Sequence, residues 1–477
     1  MAESKDVLLK SIREGKDMTR GSQTRLTLLL CAPAILAQIA SVLLQFIDAS
    51  MVGSLGAGPS ASIGLVSTTT WIFGGFVIAT SQGFSVQVAH LIGSNDFPSA
   101  RKVMHQGLLS VLVFASCLAI AGLCIAGPLP GWLGGGEDIV EEASEYFRIY
   151  ILFLPVMGLA FCCAGMLQCS GNMKVPSMLN ILMCALDVAF NFLLIFPTRE
   201  ISLLGASITV PGAGMGVKGA ALGTGLAESI VTLMGLYFIF FRSKELGLSK
   251  GERPQFLPSR TSIKNALGIT GPLWVQNLIM RGAYVMSTII VAPLGAVAIA
   301  ANSFAITAES FVYMPGYGMG DAATTLVGQS LGADRKDLAK SFTRICIYLG
   351  IGMMVSLAVL MYFFSAQIMG LLSVDPDVIA LGAKVLKIEA FAEAGYAAAI
   401  VASGACIGAG DTKMSSVLNL GSMWVVRIGL ALILTPRYGL VGYWIAMCIE
   451  LNVRGALFLW RTGGDKWMKG HLATSKQ

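Results

Sequence analysis

The chain has 477 residues, of which 55% are hydrophobic and only 13% are charged, and its formal net charge is +6. Because soluble globular chains carry about 25% charged residues, this composition excludes an ordinary soluble domain. It also argues against a nucleic-acid partner, because the basic residues are spread over many short loops rather than gathered on one surface.

The first 25 residues are polar, and we expect them to form a cytoplasmic tail with room for an interfacial helix. No cleavable signal peptide is visible there, because the apolar run comes after the polar stretch. Apolar runs of about 18 residues or more then recur, each long enough to cross a hydrocarbon core of roughly 30 Å. They include Leu26–Phe46, Gly107–Gly127, Val175–Phe196, Leu222–Phe241 and Ile345–Phe364. At about 20 residues per helix we count about twelve spans, which predicts an all-α polytopic membrane protein.

The fifth span carries an aspartate near its middle, in the stretch ALDVAFNFLLIF. Asn191 follows Asp187 by one turn and Asn180 precedes it by about two, so the three share a helix face. An ionised carboxylate at this depth costs about 2.5–3.5 kcal/mol on insertion scales. An interhelical hydrogen bond contributes about 0.6 kcal/mol, and an amide would provide it without the charge. We therefore favour a functional role for Asp187 over helix–helix bonding alone. Thr224 adds a hydroxyl from the sixth span.

Asp48 lies fifteen residues after Pro33 in the first span. It either caps the outer end of that span in headgroup water or is buried within the bundle. Oxygen ligands of this kind suit a hard cation such as Na⁺, and the same acids, Asp48 and Asp187, could instead hold protons. The candidate coupling residues are Asp48, Asp187, Asn191, Asn180 and Thr224.

The second half of the chain repeats the first at a constant offset of 239 residues. The matched pairs include Pro33 and Pro272, Gly93 and Gly332, Gly171 and Gly410, and Asn180 and Asn419. Because each copy has an even number of spans, six, both copies have the same orientation, and the repeat is parallel about an axis along the membrane normal. The offset breaks only late, where Ile201–Gly216 adds about sixteen residues to an outer loop of the first copy.

The repeat predicts two six-helix lobes, residues 26–242 and 264–462. A basic cytoplasmic linker with two prolines, 243–263, joins them, and a cytoplasmic tail, 463–477, follows. Placing the N-terminus and every second loop on one side gives that side about 24 Lys and Arg, against about four on the other. We therefore expect both termini to be cytoplasmic and the protein to reside in the cell (inner) membrane.

Charged residues also lie within the predicted spans of the second lobe. They are Arg281, Glu309, Glu389, Glu393 and Arg427. Their acids and bases nearly balance, so they either form structural ion pairs or line a charged substrate vestibule, and they are our candidate substrate-binding residues. Lys387 and Glu450 lie nearer helix ends and are expected to extend toward water. The ten cysteines fall inside spans and are expected to be packing residues.

Several motifs, taken in order, resemble the multidrug and toxic compound extrusion (MATE) family over nearly the whole chain. They are PAILAQIASVLLQFID, MVGSLGA, LIGSNDFPSA with its repeat SLGADRKDLA, GAGDTK and GVKGAALGT. The resemblance implies export of amphipathic, often cationic compounds by antiport with H⁺ or Na⁺. The two-lobe repeat favours rocker-switch alternating access, and we expect a monomer. The resemblance implies no cofactor beyond the coupling ion. Pro33 weakens the first span by a missing hydrogen bond, so we expect it to have a conformational role. Consistently, the sequence contains no Walker-type phosphate loop.

In the family, a first-lobe site uses an acid on helix 1, an Asn and an Asp one turn apart on helix 5, and a Thr on helix 6. Here the helix 5 pair is reversed, with Asp187 before Asn191, which leaves the coordination and the coupling ion open. The family's Na⁺-coupled branch has acids on helices 7 and 10. This chain has Met280 and Tyr396 near those positions, which disfavours that branch.

Three other functions compete with antiport. A flippase of a lipid-linked precursor, from the wider superfamily, would need a strongly basic cavity for pyrophosphate, and the bases within spans are few and offset by acids. An enzyme would need a nucleophile–base pair or a metal motif such as HExxH, and the sequence has neither. A channel would need a ring of charge, which a two-lobe repeat with single buried acids does not provide.

Overall fold

The structure is a computed structural model that describes residues 4–203, 206–248 and 254–468. Within these ranges ten helices are long and apolar enough to cross a membrane, and the bent pair Pro376–Glu389 and Glu393–Gly408 forms one further, broken span. One of the ten, Thr412–Gly463, has 52 residues and leaves helical geometry at Gly439 (φ 59°, ψ −143°), so it contains two spans of about 20 residues or more. The described residues therefore hold twelve spans, as the sequence predicts.

The first six spans form one half of the bundle. They are α1 Arg20–Gly53, α2 Ala57–Gly93, α3 Phe97–Ile125, α4 Glu137–Cys169, α5 Lys174–Leu194 and α6 Gly216–Tyr237. A π-helical turn, Phe238–Arg242, continues α6. Two short helices lie outside the spans: Lys5–Arg13 precedes α1, and the single turn Leu129–Trp132 precedes α4.

The last six spans form the other half. They are α7 Arg260–Val291, α8 Ala296–Gly332, α9 Lys336–Leu372, the broken α10 made of Pro376–Glu389 and Glu393–Gly408, and then α11 and α12. α11 comprises Thr412–Gly421, the π-helical turn Ser422–Ile428 and the part of Gly429–Gly463 before Gly439. α12 is the part of that helix after Gly439.

Two short antiparallel strands, β1 (Pro197–Leu203) and β2 (Ala206–Ala213), connect α5 to α6. The sequence analysis did not predict them. They lie where the first copy carries its additional residues, and the two residues at their tip, 204 and 205, are outside the described ranges. The segment is rich in Thr, Ile and Val, which favour extended backbone, so the added residues pair with one another instead of lengthening a helix.

Helices that begin the two halves start with the same kind of cap. The Thr19 hydroxyl oxygen accepts a hydrogen bond from the Ser22 backbone N–H at 3.2 Å, and the Ser259 hydroxyl oxygen accepts one from the Ser262 N–H at 3.1 Å. Such a cap satisfies a donor that the first turn of a helix leaves unpaired. As a result α1 and α7 begin a few residues before the lobe boundaries predicted at residues 26 and 264.

The predicted lobe, linker and tail limits stay predictions. Parts of them fall outside the described residues, namely 1–3 of the N-terminal tail, 249–253 of the linker and 469–477 of the C-terminal tail.

The backbone repeats at the predicted offset. Left-handed φ angles recur in three pairs separated by 239 residues: Gly56 (118°) and Gly295 (91°), Asn95 (60°) and Asp334 (58°), and Gly171 (89°) and Gly410 (77°). Each of these residues follows a span and turns the chain into the next one, and the left-handed region favours Gly and Asn. The two halves therefore share their turn geometry as well as their helix order.

The two lobes approach each other closely at the end of the bundle that carries the linker, which we call the linker face. There α2 crosses α8 at two equivalent glycines. A Cβ at Gly93 would collide with the main chain of Gln329, and a Cβ at Gly332 would collide with the main chain of His90. Glycine at both positions is what allows the two backbones to approach this closely.

Two equivalent hydrogen bonds reinforce this crossing. His90 Nε2 lies 2.8 Å from the carbonyl oxygen of Gly408, and Gln329 Nε2 donates to the carbonyl oxygen of Cys169 at 2.8 Å. His90 and Gln329 are separated by 239 residues, and so are Cys169 and Gly408. The linker face is thus joined by a pair of contacts related by the pseudo-two-fold axis.

Further hydrogen bonds between α2 and α7 extend from the linker face only to the middle of these helices. The first is from Gln87 Nε2 to the Ser262 carbonyl at 3.2 Å, and the last is from Asn277 Nδ2 to the Gly75 carbonyl at 3.4 Å. In the part of the chain that the structure describes, the hydrogen bonds between the lobes all lie in this half of the bundle. The lobes are therefore fastened to one another on the linker side.

Candidate functional site

Two acids and an amide of the first lobe meet between α1 and α5. Asp187 and Asn191 lie one turn apart on α5 and are 0% and 1% exposed. The Asn191 side-chain amide donates one hydrogen bond to Oδ1 of Asp48 at 3.0 Å and another to Oδ2 of Asp187 at 3.1 Å. Asp48 is half-buried and is held against α5. We call Asp48, Asp187 and Asn191 the first-lobe cluster.

The first-lobe cluster has more acceptors than donors. Oδ1 of Asp187 and Oδ1 of Asn191 are buried, and neither has a hydrogen-bond partner among the described residues. The carboxylates of Asp48 and Asp187 also adjoin each other. Neighbouring carboxylates cannot both stay ionised cheaply unless a positive charge joins them. The donor set, two carboxylates and an amide oxygen, fits either a proton or a hard cation such as Na⁺.

Thr224 is brought beside the cluster by a close approach of α5 and α6. A Cβ at Gly223 would collide with the Asn191 side chain, so glycine there lets α6 pack directly on the cluster. The Thr224 hydroxyl donates to the Ala220 carbonyl at 3.2 Å and lies beside the Asp187 carboxylate. The Thr224 hydroxyl rotates between the Ala220 carbonyl and the Asp187 carboxylate as acceptors, and its oxygen keeps lone pairs that a cation can use.

Asn180 makes a separate contact. Its side-chain amide donates to the Ala37 carbonyl at 3.0 Å and to the Ser41 hydroxyl at 2.8 Å. These partners lie about two to three turns along α1 from Asp48, nearer the linker face. The structure therefore brings four of the five predicted coupling residues together and places the fifth at another α1–α5 contact.

Pro33 lies inside α1, which remains one helix through it. Proline supplies no N–H for the helix, so one hydrogen bond of α1 is missing at this level. Directly beyond it, α8 of the second lobe packs on the helix backbone: a Cβ at Gly318 would lie 2.8 Å from the Ile35 nitrogen. The weakened segment of α1 thus lies against the other lobe, which suits the conformational role expected of Pro33.

Three further groups near these residues were missed in the sequence analysis. Tyr146 on α4 lies close enough to Asp48 and Asp187 to interact with both. Glu228 on α6 is 9% exposed, and Asp321 lies on α8. The signal that singled out Asp187, an acid in an apolar span, was available for Glu228 and Asp321 too.

Both missed acids line a cavity of about 370 Å³. Its wall includes Asn180 together with glutamine, serine and threonine side chains and apolar residues of α1, α2, α4, α5, α6 and α8. Small-molecule sites commonly enclose about 300–1,000 Å³ and combine apolar walls with a few polar groups. The cavity has the size and the lining of a substrate site.

In the second lobe, three carboxylates converge. One oxygen each of Glu309, Glu389 and Glu393 lies within 4.8 Å of the others. Glu309 comes from α8, and the two other acids flank the break in α10, where its halves meet at 59°. Both oxygens of Glu389 and of Glu393 are buried without a hydrogen-bond partner in the described ranges. We call these residues the glutamate cluster; such a set of oxygens fits a hard cation or shared protons.

Arg427 belongs to a different arrangement. Its guanidinium donates to Glu450 at 2.8 and 3.0 Å, and Arg454 donates to the same carboxylate at 2.6 and 2.7 Å. Glu450 is 0% exposed, so the expectation that it extends toward water is wrong. Two guanidiniums neutralise and hydrogen-bond this carboxylate, which is the condition under which a buried charge is tolerated.

Arg281 and Lys387 both lie against aromatic rings. The Arg281 guanidinium is 5.2 Å from the ring centroid of Trp71 in the other lobe and 5.8 Å from that of Tyr284. Lys387 is exposed, as expected, and its ammonium is 5.7 Å from the ring of Tyr362. The five candidate substrate residues therefore lie in two regions: Arg281 between the lobes, and the glutamate cluster with Arg427. The Arg427 guanidinium is hydrogen-bonded to Glu450 and is also close enough to Glu309 and Glu389 to interact with both.

Comparison with known proteins places these features in context. The MatE family model matches the chain twice, over residues 33–193 and 272–433. The chain is 24% identical over 451 residues to a probable multidrug resistance protein NorM of Thermotoga maritima, covering 94% of each chain. It is 26% identical over 454 residues to a probable multidrug resistance protein NorM of Pasteurella multocida, covering 91% of this chain and 92% of the relative.

Solved structures share the fold. A crystal structure of MATE in complex with MaL6 superposes with a TM-score of 0.85 at 20% identity, covering 95% of this chain and 98% of the other. A mutant of the Vibrio cholerae MATE transporter VcmN gives a TM-score of 0.84 at 16% identity, covering 95% and 99%. At these identities the likeness establishes the architecture, twelve helices in two lobes, and leaves the site chemistry to the residues of this chain.

Proposed function

Because the chain belongs to the MatE family, we propose that this multidrug efflux transporter exports small amphipathic, often cationic organic compounds by antiport with H⁺ or Na⁺. The observation that supports antiport most directly is the first-lobe cluster. Asn191 joins the carboxylates of Asp48 and Asp187 inside the bundle, and the cluster keeps unpartnered acceptor oxygens. A purely structural contact has no need of two acids.

The cluster couples ion binding to conformation through charge. A ligand shifts a conformational equilibrium only by its differential affinity for the two states. Unloaded, the two carboxylates repel each other and are costly at membrane depth. Loaded with a proton or Na⁺, they attract one another through that ion, and α1 can pack more closely on α5. We propose that α1 accommodates this change at Pro33, where its hydrogen bonding is already interrupted.

The coupling ion is open between H⁺ and Na⁺, because the donor set serves both. Ethidium efflux from proteoliposomes, with a Na⁺ gradient and a pH gradient imposed separately, decides between them. We expect one of the two gradients to drive efflux in the intact protein. Efflux that proceeds at the same rate with neither gradient would contradict antiport.

We propose that the linker face is cytoplasmic, because it carries most Lys and Arg. The structure then corresponds to the outward-facing arm of a rocker-switch cycle, since the lobes are hydrogen-bonded to one another on the linker side. A thiol label on Gly135→Cys should react from outside the cell, whereas one on Gly251→Cys, which lies outside the described residues, should react only after permeabilisation. The opposite pattern would reverse the orientation.

In the second lobe, we propose that Arg281 and the glutamate cluster contact substrates as a charged vestibule. Arg427 contributes indirectly, because its guanidinium is committed to Glu450. A lipid-linked flippase remains the less favoured alternative, since the described residues that line the 370 Å³ cavity include Glu228 and Asp321 and no Lys, Arg or His. A pyrophosphate group would find no cation there. We further propose that the transporter works as a monomer in the cell membrane.

A further inference from the structure

Both lobes contribute residues to the wall of the 370 Å³ cavity, the first lobe far more than the second. Most of its lining comes from α1, α2, α4, α5 and α6, but Asp321, Thr324 and Thr325 come from α8 of the second lobe. Asp321 is the repeat equivalent of Gln82, 239 residues earlier, and Gln82 lines the same cavity. Equivalent positions of the two repeats thus face one space, and only one of them carries a charge.

Neither acid of the cavity is neutralised by the protein. The side chains of Glu228 and Asp321 form no hydrogen bond or ion pair within the described residues, although Glu228 is nine-tenths buried. Among the residues that the structure describes, no lysine, arginine or histidine lines the cavity. A buried carboxylate without a partner is costly. A ligand that brings positive charge into this cavity is therefore bound more strongly than a neutral or anionic one of the same size.

The position of Asp321 depends on how the lobes meet. One turn before it, Gly318 lets α8 approach the backbone of α1 at Ala34 and Ile35, directly after Pro33. One turn after it, the Thr325 hydroxyl donates to the Gln168 carbonyl of the first lobe at 3.1 Å. Separation of the lobes on the linker side breaks these contacts and carries Asp321 away from the wall that holds Glu228.

We propose that Glu228 and Asp321 together form the counter-charge for a monovalent organic cation, and that Asp321 completes this site only when the linker face closes. The inference rests on the proposed export function. A cationic substrate that enters from the linker side gains a second counter-charge on closure, so its affinity rises as the lobes come together. By linkage, the bound cation favours the closed linker face to the same extent. Substrate binding would thereby promote closure of the linker face, the step that an exporter must take with substrate bound.

The test uses two probes of matched shape and opposite charge, tetraphenylphosphonium and tetraphenylborate, bound to the purified full-length protein in detergent. Wild type should bind the cation far more tightly than the anion. Asp321→Asn and Glu228→Gln should each lower the affinity for the cation by about tenfold. Neither should lower the affinity for the anion. Asp321→Glu should retain the preference for the cation, which excludes misfolding as the cause. Asp377→Asn, at an exposed position on α10, is the matched control and should bind as wild type does.

Hydrogen exchange tests whether the bound cation favours the closed linker face through Asp321. Saturating tetraphenylphosphonium should slow amide exchange at the linker-face ends of α2 and α8 in wild type and in Glu228→Gln. It should not do so in Asp321→Asn, even at a concentration that saturates that variant. Wild-type cation affinity in Asp321→Asn, or equal protection in both variants, would overturn the proposal. Because detergent binding needs no ion gradient, failure of antiport in proteoliposomes would leave these results untouched, and the reverse also holds.

An independent observation concerns the short helix Lys5–Arg13. Leu8, Leu9 and Ile12 form one face of it and are 1%, 4% and 0% exposed. They belong to the same buried cluster as Leu326 and Leu338 of the second lobe. Leu9 also packs on Gly171 of the first lobe. The apolar face of this helix is thus buried where the two lobes meet.

Polar contacts tie the same segment to both lobes. The Lys5 ammonium donates to the Gly171 carbonyl of the first lobe at 3.0 Å, and the Arg13 guanidinium lies 3.6 Å from Glu245, at the start of the linker that follows this lobe. On the second lobe, Arg335 donates to the carbonyl of Lys16 at 2.5 Å and lies 3.8 Å from Asp17. The segment therefore spans the line along which the lobes would part.

We infer that Lys5–Arg13 is a strap that holds the linker face closed and sets how often it opens. A variant that keeps Cys169 as its sole cysteine reports opening, because this thiol is 4% exposed and lies two residues before Gly171, on which Leu9 of the strap packs. Leu9→Asp and Ile12→Asp should raise its rate of labelling by N-ethylmaleimide by about tenfold. Val7→Asp, an equal change on the exposed face of the helix, should not. Arg335→Gln, which removes only the second-lobe anchor, should also accelerate labelling. Unchanged labelling in Leu9→Asp and Arg335→Gln would overturn the strap.

Discussion

The two lobes repeat one helical frame but place different chemistry at equivalent positions. The second-lobe equivalent of Asp48 is Ser287, whose hydroxyl donates to its own helix at Ala283, 2.9 Å away. The equivalents of Asp187 and Asn191 are Val426 and Leu430. The frame therefore does not require acids at these positions, and the first-lobe cluster belongs to the first lobe alone.

Two acids of the second lobe likewise have neutral equivalents in the first. The first-lobe equivalents of Glu309 and Glu389 are Thr70 and Tyr150. The Tyr150 hydroxyl donates to the Thr70 carbonyl at 3.4 Å, so the frame brings these two positions together in both lobes. In the first lobe the contact is neutral, and in the second it joins carboxylates. One set of contacts between equivalent helices thus supports two kinds of site.

The largest expected effect is on transport, in a comparison of Asp48 with its second-lobe equivalent, Ser287. Asp48→Asn removes one of the two charges that the coupling ion neutralises, so we expect gradient-driven ethidium efflux to be lost while substrate binding in detergent persists. Ser287→Ala is the matched control and should transport at the wild-type rate. Equal losses in both variants would mean that the two lobes are not specialised in the way the comparison suggests.

The second prediction contrasts two acids within the second lobe. Glu450→Gln leaves Arg427 and Arg454 buried without their carboxylate, and we expect it to lower the free energy of unfolding by about 3–5 kcal/mol. Glu389→Gln removes a carboxylate that has no hydrogen-bond partner among the described residues and that lies beside two other acids, so it should leave stability unchanged or increase it. Thermal unfolding in detergent measures both. A larger loss in Glu389→Gln would assign the glutamate cluster a structural role.

The third prediction concerns selectivity. Arg281→Ala and Glu389→Ala should change the relative export rates of different compounds several-fold without changing the dependence on the coupling ion. The control is Arg199→Ala, which removes a guanidinium stacked on Phe192 and Phe196 of the first lobe at 4.3 and 4.0 Å. Uniform losses for every compound in the two second-lobe variants would show that these residues only hold the lobe together.

The smallest effect should come from the amides of α5. Asn191→Ala removes hydrogen bonds to two carboxylates and should weaken affinity for the coupling ion by about tenfold. Asn180→Ala removes contacts to α1 at Ala37 and Ser41 only, so it should leave that affinity unchanged. Ion dependence of transport distinguishes them. An equal shift in Asn180→Ala would return Asn180 to the coupling site that the sequence predicts.

The helical architecture could be predicted from the sequence because the signals that specify it are local or repetitive. Apolar runs mark the spans, and pairs such as Gly171 and Gly410 recur in register with left-handed turns. The one-turn spacing of Asp187 and Asn191 also predicts a shared face without any tertiary information. These features depend only on helical period and chain offset, which a single sequence contains.

The contacts of the site could not be predicted, because they depend on the register in which neighbouring helices pack. The bridge from Asn191 to Asp48 requires the register of α1 on α5, and the burial of Glu450 requires that of α11 on α12. Asp321 acts in a cavity of the other lobe, so its role cannot be read from its own span. The β1–β2 hairpin lies in the one segment without an equivalent in the second half, where the repeat gives no guidance.

The most direct test of the account compares two modes of transport by Asp187→Asn in proteoliposomes. The first is efflux driven by the coupling-ion gradient, and the second is exchange of labelled for unlabelled ethidium with no gradient. Because the amide mimics a loaded carboxylate, we predict that gradient-driven efflux is lost while exchange continues at a rate near that of wild type. Gradient-driven efflux at the wild-type rate with unchanged ion dependence would contradict the account, since Asp187 would then be structural and the first-lobe cluster would not be the coupling site.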